Sequence, residues 1–203
     1  MSQSTPAWAV EAIVRAGQRM DERGWVPATA GNISVRLDAE RIAITRSGGH
    51  KGFLDAASVM QVDLAGTPLT DAKPSAETLL HCQVYRLFPE AGAVLHGHSV
   101  ASTVLSMTEP GPIRLAQYEV LKAFEGQSTH DVSLELPVFD NDQNIARLAS
   151  VAEPIIAAGT PLGYLIRGHG VYVWGPSMDV ALARLEGLEF LLACELERRK
   201  LAR

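Results

Sequence analysis

His96-Gly97-His98 ends the apolar run Ala93-Val94-Leu95, and a third histidine stands far downstream in Gly168-His169-Gly170. In a strand, side chains two residues apart share a face, so both imidazoles of the triplet can reach one ion while Gly97 keeps the opposite face clear. Neutral imidazole is the commonest nitrogen ligand of zinc, and a catalytic zinc keeps three protein ligands and an open position. His96, His98 and His169 supply that number. The spacing alone is also what two half-buried strand histidines would show, so the surrounding residues decide between the two readings.

Three loops expose backbone amides beside hydroxyls: Thr29-Ala30-Gly31-Asn32, Ser47-Gly48-Gly49-His50-Lys51 and Pro74-Ser75. Small residues let the backbone approach an anion closely, and Ser75 at the start of a helix adds amides aligned by that helix. Gly31, Asn32, Ser47, Gly48 and Ser75 are therefore candidate phosphate-binding residues, although each loop taken singly also reads as ordinary turn chemistry. Two carboxylates compete for the role of general base: Glu77, in the first turn of the helix opened by Pro74-Ser75, and Glu119, near the start of a short helical pattern. Either also reads as a helix-start acid that complements the dipole. Tyr118 is a candidate proton donor or a packing residue. His50, His81 and His130 have no spacing that links them to the triplet and read as structural or surface residues.

The elements that must position these groups follow from periodicity. Thr5-Pro6 is expected to open a helix as cap and first residue, with Trp8, Ala12, Ile13, Ala16 and Met20 on its core face, ending at Gly24. Ile33, Val35 and Leu37 alternate with polar residues, a turn follows at Asp38-Ala39-Glu40, and Ile42 and Ile44 resume the alternation, which predicts a β-hairpin. Further strands are expected near 60–64, 93–98, 134–139, 163–167 and 171–174. Helices are expected from Pro74-Ser75 to Pro89 and near 99–107, 117–125, 142–158 and 177–200. Several hairpin-like pairs within this alternation favour a single three-layer α/β/α domain over residues 1–203 with a mixed, largely antiparallel central sheet.

The 203 residues can bury a substantial core without staples, and 47% hydrophobic with 20% charged residues is ordinary for a globular enzyme. A net charge of −5 argues against a nucleic-acid surface, so an anionic ligand must be held locally. Cys82 and Cys194 sit in helical patterns and read as free thiols of a reducing compartment. The segment Met1-Ser2-Gln3-Ser4-Thr5-Pro6 lacks a basic region followed by an apolar core, and no long apolar run offers a membrane span, so a cytoplasmic protein without membrane partners is expected. The basic end Glu197-Arg198-Arg199-Lys200-Leu201-Ala202-Arg203 reads as a helix terminus that complements its dipole.

Taken together, Ala30-Gly31-Asn32-Ile33-Ser34, Ile44-Thr45-Arg46-Ser47-Gly48-Gly49, Lys73-Pro74-Ser75-Ala76-Glu77, His96-Gly97-His98 and Gly168-His169-Gly170-Val171 resemble the class II aldolase superfamily in order and approximate spacing. The resemblance spans nearly the whole chain. It implies one Zn2+ per subunit on His96, His98 and His169, a sugar-phosphate substrate whose phosphate is held by the glycine and serine loops, and a homotetramer with sites near subunit interfaces. Arg167–Gly175 and Gln117–Lys122 look most like the branch of that superfamily that removes water from 5-methylthioribulose 1-phosphate in methionine salvage. By this resemblance Glu119 corresponds to the acid/base glutamate of the dehydratases and Glu77 to the base of the aldolases. Tyr118 and Ala76 depart from those patterns, the second removing one phosphate hydroxyl. An aldolase or epimerase of fuculose, rhamnulose or ribulose phosphate is the alternative enzyme, and a non-catalytic module like the adducin head is the alternative of another class.

Overall fold

A computed structural model describes residues 4–202. Met1–Gln3 of the amino-terminal segment and Arg203 of the basic end lie outside the described residues. The first helix, α1 (Ala7–Glu22), buries Ala9, Ile13, Ala16, Gly17 and Met20 along one stripe. Trp8, expected on that face, is one position off the stripe and 54% exposed. Pro6, and not Thr5, occupies the N-cap, with no side-chain cap.

The hairpin forms as the alternation predicts: β1 (Asn32–Arg36) pairs with β2 (Arg41–Thr45), Ser34 opposite Ile44, and β3 (Val59–Asp63) adds to β2. Helix α2 spans Thr78–Leu87, starting later than the Pro74-Ser75 signal suggests. The cause is tertiary pairing: Pro74 bridges Arg46, and the Ser47 amide donates to Lys73 O at 3.1 Å, which holds this stretch extended. Ser75 therefore offers a hydroxyl and not helix-aligned amides.

Next come β4 (Ala93–Gly97), α3 (Val100–Thr108) and a short unanticipated strand, β5 (Ile113–Ala116). The helix expected over 117–125 is a single 3-10 turn, Glu119–Ala123, entered through Gln117 at φ 63°, a left-handed conformation that no helix continues through. The strand expected over 134–139 divides at Pro137, which has no N–H to give a ladder. Its first part, β6 (Ser133–Leu136), pairs with β5 in a separate ribbon, and its second, β7 (Val138–Phe139), joins the main sheet. Then α4 (Ile145–Ala157), β8 (Tyr164–Ile166), β9 (Gly170–Gly175) and α5 (Met178–Leu201) follow.

The main sheet has seven strands in the order β3-β2-β1-β4-β9-β8-β7, antiparallel at every pair except β7–β8. Strand alternation divides the core between its two faces. Ile33, Leu95 and Val173 pack with Ile13 of α1, Leu105 of α3 and Leu188 of α5. Ile44, Val94 and Tyr172 face the other way, against Leu80 and Val84 of α2 and Ala152 and Ile156 of α4. This is the three-layer, largely antiparallel arrangement the sequence predicts. Cys82 and Cys194 are both free thiols, and no helix among the described residues is long and apolar enough to cross a membrane.

Pairing puts Asn32 opposite His96 and His96 opposite Tyr172, so one row crosses β1, β4 and β9 on the α2 face. Two glycines permit this packing. Gly31 has φ 78°, and a Cβ there would lie 2.7 Å from His96 O; a Cβ on Gly170 would overlap Gly97 O. Gly170→Ala is expected to cost about 1–3 kcal/mol of stability through this overlap, read from the shift in urea midpoint at unchanged m-value.

Candidate metal centre and adjoining cavity

His96 and His98 leave the carboxyl end of β4, and His169 occupies the tight turn between β8 and β9. The His98 amide donates to Trp25 O at 2.6 Å, and Ser99 caps α3 by accepting from the Ser102 amide. The His169 turn is tied to α3: the Gly168 amide donates to Ser106 Oγ at 3.0 Å, and Arg167 donates to Ser106 O at 2.6 Å. Both ends of the ligand set thus ride on backbone fixed by hydrogen bonds.

His96 Nδ1 donates to Val171 O at 2.9 Å, which makes Nε2 the bare nitrogen. That Nε2 stands 3.3 Å from His169 Nε2. An edge of about 3.3 Å is what two nitrogens at roughly 2.0–2.1 Å from a shared tetrahedral ion require. Candidate ligand atoms of His96, His98 and His169 all lie within 4.8 Å of one another, and His169 Nδ1 is buried without a hydrogen-bond partner. Burial, then mutual repulsion, holds the His96 pKa well below its ordinary value; burial and the neighbouring His169 bring His98 down to about 4, and burial lowers His169 against the pull of Glu77. All three imidazoles are neutral at pH 7, the state that ligates a metal. The donor set fits a divalent cation.

Beside His98 opens a cavity of about 240 Å³ lined by Thr29, Ala30, Gly31, Arg46, Ser47, Gly48, Lys51, Ser75, Ala76 and Glu77. Four of the expected anion-binding residues, Gly31, Ser47, Gly48 and Ser75, thus meet at one place. Asn32 is 1% exposed and stands behind the wall, its Nδ2 donating to Glu77 Oε2 at 2.6 Å and to Ser75 Oγ at 2.9 Å. Its position is one of support. A larger cleft of about 500 Å³ opens at the opposite end of β4 and β9, beside Trp174 and Arg184, and contains none of the histidines.

Lys51 is the group that sequence reasoning missed. It is 1% exposed, its Nζ donating to Thr29 O at 2.8 Å and Gly49 O at 2.6 Å, and burial lowers its pKa to about 8 against the pull of Glu77. A buried lysine in a chain of ordinary composition leaves no periodic signal; its only hint was its place in the Ser47–Lys51 loop.

Glu77 occupies the residue before α2 without capping it and belongs to the cavity, where Oε2 also accepts from Ser75 Oγ at 3.2 Å. Glu119 is not brought there. Its exposed carboxylate pairs with Lys122 at 2.5 Å and lies 3.7 Å from His130, the Lys122 hydrogen bond lowering its pKa. Tyr118 is a packing residue whose hydroxyl donates to Glu195 at 3.1 Å, so it is no proton donor to this cavity. His50 accepts from the Gly52 amide, His130 is exposed, and His81, expected to be structural or on the surface, is wholly buried.

The Class II Aldolase and Adducin N-terminal domain model matches residues 11–196. The chain is 69% identical to a methylthioribulose-1-phosphate dehydratase of Granulibacter bethesdensis over 203 residues, covering 97% of this chain and 94% of that one. It is 52% identical to a protein of the same name in Pseudomonas aeruginosa over 194 residues, covering 94% and 95%. Among solved structures it resembles the L-fuculose-1-phosphate aldolase of Thermus thermophilus, with a TM-score of 0.77 at 25% identity and 95% of each chain covered.

One further carboxyl group supports the site from behind. Glu189 of α5 is 3% exposed and accepts from Ser99 Oγ at 2.5 Å, while burial raises its pKa to about 7 against that hydrogen bond. The folded state therefore binds its proton more tightly than the unfolded chain does. Stability is full below the unfolded pKa of about 4.5 and falls as pH rises towards 7, by an amount on the order of 3 kcal/mol. Glu189→Gln should remove this fall, seen as a flatter dependence of unfolding free energy on pH at fixed metal loading. An unchanged slope would show that Glu189 ionises freely.

Proposed function

Because the chain belongs to the class II aldolase and adducin family, we propose that it is a metal-dependent hydro-lyase converting 5-methylthioribulose 1-phosphate to 2,3-diketo-5-methylthiopentyl 1-phosphate in methionine salvage. The near full-length identity to dehydratases of that name carries the choice of reaction, since a three-histidine cavity suits dehydration and carbon–carbon cleavage alike. Zinc, one ion per subunit on His96, His98 and His169, is the metal of this reading. When bound, the cation supplies Lewis-acid stabilisation of negative charge developing on substrate oxygens.

The residues around it divide the remaining work. Gly31, Ser47, Gly48 and Ser75 hold the phosphate, and Lys51 supplies the full positive charge that an anion in a partly enclosed cavity needs. Glu77 takes the C3 proton, the pair of electrons moves between C3 and C4, and the C4 hydroxyl leaves with a proton as water. The resulting enol gains a proton at C4 and becomes the diketone. Atoms and charge balance without another reactant.

Glu119 does not line this cavity in its own chain and pairs instead with Lys122, so its acid/base role requires a second copy. A homotetramer with sites near subunit interfaces accommodates that, and the free Cys82 and Cys194 suit a cytoplasmic setting. Residues 1–203 then act as one catalytic domain.

Glu77→Gln is expected to lower kcat by roughly 10²–10⁴-fold with metal content and fold retained, as measured by diketone formation. Wild-type turnover would remove Glu77 from the mechanism. Glu119→Gln should be equally slow, and assembling it with Glu77→Gln chains should restore part of the activity, because some interfaces then hold two intact partners. Failure of mixed assemblies to recover would argue against supply of Glu119 from a neighbour. Lys51→Met should raise KM by about tenfold or more, the loss expected for a charge-assisted hydrogen bond, with a smaller change in kcat.

A further inference from the structure

Behind Glu77 runs a line of buried polar groups that no step above uses. Asn32 and Ser34 lie two apart on β1 and face α2, where His81 and Tyr85 lie four apart. Two strand residues span about 6.6 Å and four helical residues about 6.0 Å, so the two pairs come into register. All four side chains are at most 1% exposed. His81 Nε2 bonds to Asn32 Oδ1, His81 Nδ1 lies 2.7 Å from Ser34 Oγ, and Ser34 Oγ lies 2.9 Å from Tyr85 OH.

The direction of every bond in this line is determined. Asn32 gives its Nδ2 to Glu77, so its Oδ1 faces His81 and can only accept. His81 must therefore carry its proton on Nε2, which leaves Nδ1 to accept from the Ser34 hydroxyl; Ser34 then accepts from Tyr85. The other tautomer of His81 would require Asn32 to flip and aim its carbonyl oxygen at the Glu77 carboxylate, setting two acceptors against each other.

We propose that His81 is a positioning residue for the acid–base step: its Nε2–H locks the Asn32 amide in the one orientation that holds Glu77 in place at the cavity. Burial drops the His81 pKa to about 3, so the ring stays neutral and keeps this role across the working pH range. Tyr172, itself wholly buried, packs edge-on against His81 at 5.8 Å. The inference rests on the reading of Glu77 as the group that moves the proton.

A double-mutant cycle tests it. His81→Phe should lower kcat by about 10–100-fold, the usual cost of a catalytic group displaced by about 1 Å, with KM within about twofold and metal content unchanged. In the Glu77→Gln background the same substitution should change kcat by less than about twofold, since the group it positions is already lost. His81→Gln, which can still donate to Asn32, should recover part of the loss. Equal losses from His81→Phe in both backgrounds, or wild-type kcat in His81→Phe, overturn the positioning role while leaving a slow Glu77→Gln intact. A fast Glu77→Gln overturns the reading of Glu77 and this role with it. Should His81→Phe fail to fold, His81→Leu, which also removes the Nε2–H donor but in a smaller volume, enters the same cycle with the same expectations.

Discussion

The pairing of β4 with both β1 and β9 is the constraint on which the site depends. Its register sets Asn32, His96 and Tyr172 in one row, turns His96 and His98 toward the α2 face and brings the β8–β9 turn with His169 against them. A slip of one residue would turn the row to the opposite face, against α1, and separate the three imidazoles. Gly31 and Gly170 leave room for the close approach this register demands, and α3, capped by Ser99, anchors both His98 and the His169 turn.

Electrostatics follows from that packing. The histidines are crowded and desolvated, so they remain neutral and available as ligands without any acidic partner to hold them. One buried ammonium, Lys51, and one carboxylate, Glu77, share the adjoining cavity; Glu77 offsets part of what burial does to Lys51 and His169, while Lys51 adds to the lowering at His98. A small space thus presents neutral nitrogens, a positive charge and a proton acceptor within reach of one another. That combination suits a phosphorylated hydroxyketone, which needs its anion held, its oxygens polarised and a carbon-bound proton removed.

Much of this was legible in the chain. Strand alternation located β1 and β2, the apolar run before the triplet located β4, His96, His98 and His169 come together as the spacing suggests, and the glycine and serine loops meet at one cavity. What failed was set by long-range contacts. Pro74 and Ser75 carry helix-start chemistry, yet the Pro74–Arg46 bridge and the Ser47 hydrogen bond to Lys73 hold the stretch extended; the one strand expected over 134–139 is split at Pro137 into two that enter different sheets. Trp8 lies close enough to the core stripe of α1 that periodicity alone could not exclude it. Lys51 and His81 are single polar residues whose burial depends on partners more than 20 residues away in sequence, a property no local pattern encodes. Glu119 carries a familiar motif in a place its own chain does not connect to the histidines.

The proposed reaction eliminates water and leaves the carbon skeleton whole. Its most direct test is turnover of 5-methylthioribulose 1-phosphate by the zinc-loaded protein in deuterium oxide, with products identified by mass spectrometry. The expected product is a single diketone phosphate, lighter than the substrate by one water and carrying one carbon-bound deuterium at C4. Dihydroxyacetone phosphate with a methylthio aldehyde, or recovered substrate labelled by exchange without loss of water, would contradict it.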